Sequence, residues 1–153
     1  MSTMTCDTDT TATDHRIDMA AMAAVFAAVG EHLAVFTDLP APVIVTAYHP
    51  AVTGTAPVTF QLDCEQWLPG LASALLAWLD TLDWVTCEAW RHDGDDSHTM
   101  HLYIRGGLTD GTPVQVFGAT DYAPVLRLAP GQRDRIGLAH LCEWAANHPE
   151  VTP

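Results

Sequence analysis

The chain has 153 residues, 48% of them apolar and 16% charged, a balance that suits one globular domain with its own core. Nineteen carboxylates, fourteen Asp and five Glu, face six arginines and no lysine, for a formal net charge of −13. That charge repels phosphate backbones and anionic lipid, so neither direct nucleic-acid binding nor membrane adsorption is expected, and the missing lysine excludes Schiff-base chemistry.

Residues 1–13 are mostly Thr, Asp and Ser and read as a disordered acidic tail, which leaves 14–153 as a single domain. A helix is predicted over about Asp18 to Phe36, with Met19, Met22, Phe26, Val29, Leu33 and Phe36 as its apolar stripe. Asp14 or Asp18 would cap it, and Asp38-Leu39-Pro40 ends it. Pro42 to Tyr48 is β-branched and predicts a strand. A loop rich in Pro, Gly and Thr follows, and Val58 to Leu62 alternates as a second strand.

Asp63 with Gln66 resembles a capping box, yet Pro69-Gly70 falls in the first turns of the helix it would start. Either that helix is kinked or it begins near Pro69; Leu68, Leu71, Leu75, Trp78 or Leu79, and Leu82 supply its buried stripe. Strands are then predicted at Trp84 to His92, Thr99 to Arg105 and Pro113 to Gly118. Asp-Gly connections at His92–His98 and Thr109–Thr112 make them an antiparallel meander. Tyr122 to Leu128 reads as an edge strand or a loop, and a last helix as running from about Asp134 to Asn147. The fold class is α+β, in the order α-β-β-α-β-β-β-α: a mainly antiparallel sheet of about five strands with helices on one face.

Strand alternation sorts the meander into two faces. Val85, Cys87, Ala89, Met100, Leu102, Ile104, Val114 and Val116 form an apolar set for the helices. The opposite face receives Thr86, Glu88, Trp90 and His92, then His101, Tyr103 and Arg105, then Gln115 and Phe117. Aromatic and arginine side chains give contact area and directed hydrogen bonds at small entropic cost, so Glu88, Trp90, His101, Tyr103, Arg105 and Phe117 are the candidate binding residues. The competing explanation is structural: Trp90, Tyr103 and Phe117 pair across strands, or the N-terminal helix covers them.

Other chemistry finds little support. His92, His98 and His101 beside Asp93, Asp95 and Asp96 suggest a metal by composition, but His98 and His101 should face opposite ways, and the Asp-rich segment lacks calcium-loop spacing. Cys6, Cys64, Cys87 and Cys142 form no CxxC pair. Without an apolar leader they read as reduced thiols of a cytoplasmic protein. There is no GxSxG elbow, Walker loop or GxGxxG; Gly106-Gly107 reads as a bulge or strand end, and no cofactor is expected. An acid–base site built from Glu88 and His101 would leave no local signature.

The segment from Gly107 to Gly118, the run Leu76 to Leu79 and the stretch Leu141 to Ala145 resemble small uncharacterised single-domain proteins of actinobacteria, their plasmids and phages. The resemblance implies an origin and a small fold, and brings no catalytic residues with it. The acidic, lysine-free composition fits a GC-rich genome, and a high-salt cytoplasm selects the same kind of surface. Function therefore reads as a non-enzymatic protein-interaction module, such as a mobile-element accessory or inhibitor. It would have a protein partner, and a homodimer is compatible with it. The alternatives are a small-molecule-binding protein or enzyme with its pocket between sheet and helices, and an acidic nucleic-acid mimic.

Overall fold

The computed structural model describes residues 19–48, 56–63, 67–92, 98–121 and 126–147. Three helices, α1 (Met19–Val35), α2 (Leu68–Leu79) and α3 (Leu138–Ala146), accompany six strands. These are β1 (Ile44–Ala47), β2 (Val58–Gln61), β3 (Asp83–Arg91), β4 (Thr99–Gly107), β5 (Pro113–Asp121) and β6 (Arg133–Ile136). The predicted tail at 1–13, Cys6, Cys64 and the acidic turn holding Asp93, Asp95 and Asp96 lie outside the described residues.

The sheet order is β1-β2-β5-β4-β3-β6. The expected meander is present: β3 pairs antiparallel with β4, and β4 with β5. The Thr109–Thr112 turn closes as its chemistry predicts. Gly111 takes φ 87°, a backbone that favours glycine, and Asp110 accepts from the Thr112 N–H at 2.9 Å. Two features correct the sequence reading. The sheet is mixed, because β2 pairs parallel with β5, Phe60 opposite Val116. It also has six strands, because Arg133–Ile136 pairs antiparallel with β3, Cys87 opposite Ile136 and Trp90 opposite Arg133. The last helix accordingly starts at Leu138, after Gly137, rather than at Asp134.

One core joins the helices to one sheet face. Leu71, Leu75 and Trp78 of α2 and Leu141 and Trp144 of α3 pack with Phe60, Cys87, Ala89, Leu102, Ile104 and Val116. Burial of these side chains supplies the main stabilisation of the fold. Trp78 is fully buried, its ring 4.7 Å from Phe60, and its indole N–H donates to the Pro40 carbonyl at 3.0 Å. Gly118 lets α2 approach β5 closely, since a Cβ there would collide with Leu71 Cδ1. Pro69 stands in the first turn of α2, and Trp67 holds the N-cap position without a side-chain cap. The helix thus begins beyond the predicted Asp63 box.

The predicted stripe of α1 is met in part: Met22, Val29, Leu33 and Phe36 are half-buried, Val29 and Leu33 against the core. Val25, Ala28 and His32 are buried, whereas Met19 and Phe26 are exposed. His32 decides the rotation. Its Nε2 lies 3.1 Å from Thr81 Oγ1, and its ring stacks on Trp78 at 6.2 Å. The Thr81 hydroxyl itself donates to the Trp78 carbonyl, so it accepts from a protonated Nε2. This contact places α1 beside α2, on the helical side of the sheet.

Candidate functional site: the outer face of the sheet

Because all three helices join the core on one side, the other face has no helix over it among the described residues. The cross-strand register sets its residues in rows. Phe117, Tyr103, Glu88 and Arg135 form one row, and Ala119, His101, Trp90 and Arg133 the next. Gln115, Arg105 and Thr86 form a third, toward the Gly106-Gly107 end. All six sequence-predicted residues, Glu88, Trp90, His101, Tyr103, Arg105 and Phe117, therefore lie on this face. Arg133 and Arg135 join them from β6, where the sequence reading expected helix.

The side chains hold one another. The Arg133 guanidinium lies over Trp90 at 5.5 Å and over Tyr103 at 5.3 Å. Phe117 stacks on Tyr103 at 5.3 Å and 21°. Tyr103 is thus 8% exposed although no helix covers it. His101 packs 5.2 Å from Trp90 and 6.1 Å from Tyr103. These contacts are the cross-strand pairing foreseen as the structural alternative, and such pairs stabilise the sheet.

Glu88 stands between two cations. Its Oε2 is 3.7 Å from Arg105 Nη2 and 3.7 Å from Arg133 Nη1, too far for a hydrogen bond, and its side chain is 16% exposed. Arg105 Nε donates to Gln115 Oε1 at 2.9 Å. With Arg135 opposite Glu88, three of the six arginines are gathered on this face, in a chain of net charge −13. Burial pushes the Tyr103 phenol above its usual range, against the opposing pull of Arg133 and Arg105. Burial lowers the His101 imidazole, and the nearby His92 lowers it further.

Glu88 faces arginines and His101 faces aromatic rings, so the two do not form the acid–base pair considered from sequence. Among the described residues, no group of three His, Cys, Asp or Glu is placed to hold a metal ion. Cys87 is buried and its thiol is pushed up by that burial, which suits a packing residue rather than a nucleophile.

Two features escaped the sequence. Arg133-Asp134-Arg135-Ile136 does alternate as a strand would, but only the free edge of β3 makes it one. Nothing in the alternation of the predicted strand from Trp84 to His92 distinguishes Trp84. It is 59% exposed and takes φ 42°. Its indole Nε1 lies over Gly107, where a Cβ would come within 2.5 Å. A cavity of about 320 Å³ opens beside it, lined also by Thr86, Arg105, Pro113 and Gln115.

Comparison with known proteins gives no match to a family model, a curated protein or a solved structure. The fold and the site define an α+β domain with an arginine- and aromatic-bearing sheet face over which no described helix lies. No helix among the described residues is long and apolar enough to cross a membrane.

Proposed function

We propose that this protein is a non-enzymatic interaction module whose outer sheet face docks a protein partner in the cytoplasm. One observation carries the reading: the Arg133 guanidinium is held over Trp90 and Tyr103 with Glu88 beside it. Such a layer loses little side-chain freedom on contact, which is the property that favours aromatic and arginine residues at binding hot spots. The partner surface that fits is flat and apolar, with an acidic rim to meet Arg105, Arg133 and Arg135. An accessory or inhibitor role in a mobile-element setting is consistent with the resemblance to small actinobacterial, plasmid and phage proteins.

The test is affinity capture from the native cytosol with the wild-type chain, W90A and R133A. The expected result is a defined partner recovered by the wild type and lost with both variants, while both still unfold cooperatively within a few degrees of the wild type. Equal recovery by all three would overturn the reading.

A further inference from the structure

The cavity beside Trp84 borders the Trp90–Arg133 layer, to which Arg105 of its lining is linked through Glu88. Trp84 itself lies six residues from Trp90 along β3, roughly 20 Å at about 3.3 Å per residue, at the Gly106-Gly107 end of the face. Trp84 there satisfies neither of the usual requirements of a tryptophan. Its backbone is in the left-handed region, which an L side chain adopts at a cost, and its indole is more exposed than buried. Gly107 leaves the room that the indole occupies. Folding alone gains little from this arrangement, and its geometric result is an indole wall on a cavity.

The polar lining can be read donor by donor. Arginine has only donors, so the Gln115 amide must turn its oxygen to Arg105 Nε, and its NH₂ group remains as a donor. Arg105 Nη2 is 3.7 Å from Glu88, beyond hydrogen-bond range, so its N–H groups stay available. Thr86 adds a hydroxyl. A positive, donor-rich lining calls for an anionic acceptor, and a guanidinium fork matches a planar carboxylate. Trp84 and Pro113 call for a flat apolar body attached to it. A single guanidinium charge matches a monoanion rather than a phosphate dianion.

We infer that the Trp84–Arg105 cavity is a binding site for a carboxylate carried on a flat apolar group. The carboxylate lies against Arg105, Gln115 and Thr86, and the apolar body against Trp84 and Pro113. Such a group can belong to a free small acid or to an aromatic residue at a peptide C-terminus. The inference goes beyond the protein-docking reading and stands without it: W90A, which abolishes partner capture, leaves this site intact.

The test is a titration of the ¹⁵N-labelled protein with benzoate, with N-acetylphenylalanine and with neutral benzamide, followed at the Trp84 indole and Arg105 Nε–H resonances. The Trp84 signal is assigned by its loss in W84F. Both acids are expected to shift these signals saturably, with Kd on the order of 1–10 mM as befits ligands of this size, and benzamide is not. Tighter binding of N-acetylphenylalanine identifies a peptide terminus as the source, and tighter binding of benzoate a free acid. R105Q is expected to weaken the acids by about tenfold or more while the other indole signals keep their native positions. Gln115→Glu, which puts a carboxylate in the lining, should do the same. No saturable shift up to about 50 mM, equal shifts with benzamide, or binding undiminished in both variants would overturn the inference.

Discussion

The left-handed backbone at Trp84 makes a prediction in which a sign, rather than a size, is decisive. Consider Trp84→Ala and Trp84→Gly as a pair. Both lose the same indole, 59% exposed in the native protein, so the lost burial cancels between them. What remains is the backbone. At an ordinary strand position, glycine is less stable than alanine by about 0.5–1 kcal/mol, because it loses more freedom on folding. At φ 42° an alanine Cβ carries a penalty of about 1–2 kcal/mol that glycine escapes. At the midpoints of these ranges the difference favours glycine by about 0.75 kcal/mol, inverting the usual order. For a domain of this size, that is a melting temperature about 1–4 °C higher for W84G than for W84A. Chemical denaturation with matched m-values gives the same quantity independently. If W84A equals or exceeds W84G in stability, the left-handed conformation is not a strained one and its link to the cavity fails.

Three further outcomes are expected. In a double-mutant cycle, Arg133→Ala and Trp90→Ala should show a coupling of about 0.5–1 kcal/mol, as for a cation over a partly exposed ring; additive effects would show that the stacking contributes nothing. His32 and His101 are both lowered by burial, so each binds its proton less readily folded than unfolded. Their contribution to stability is complete above the unfolded value near 6.5 and is lost as pH falls through the folded values. Imidazole titration followed by NMR should therefore place both below about 6.5, and a value above it for either would contradict the sign. Finally, in a variant whose only cysteine is Cys87, the thiol should resist an aromatic disulfide reagent until the protein unfolds, whereas one retaining only Cys142 should react at once; equal rates would refute the assigned burial.

The parts legible in the sequence were those fixed locally. Period-two alternation in β3, β4 and β5, with Asp-Gly turn chemistry, was enough to place Glu88, Trp90, His101, Tyr103, Arg105 and Phe117 on one face. It also placed Cys87, Leu102, Ile104 and Val116 on the other. Where the pattern saturated, it misled. Helix α1 is so rich in Ala, Val and Met that several stripes look equally apolar, and the buried one is chosen by His32 reaching Thr81, a contact 49 residues away. Non-local pairing was invisible for the same reason. β6 has four residues next to a helix and becomes a strand because β3 offers a free edge. The parallel pairing of β2 with β5 depends on a connection through α2 and the β3–β4 hairpin. The missing strand concealed Arg133 and Arg135, and with them the positive character of the outer face.

The turn at Trp84 has a bearing on how the sheet ends. β6 and the residues before it shield β3 from Cys87 to Arg91, and among the described residues no strand lies beside the part of β3 before Cys87 on that side. A regular edge there would offer its amides as a template to any passing chain. The register of β3 against β4 instead breaks between Asp83 and Thr86, and the left-handed residue turns the backbone groups out of a straight row. A neighbouring strand cannot zip along such an edge. The same distortion that holds an indole open to solvent therefore confines regular free edges to the two outermost strands, β1 and β6.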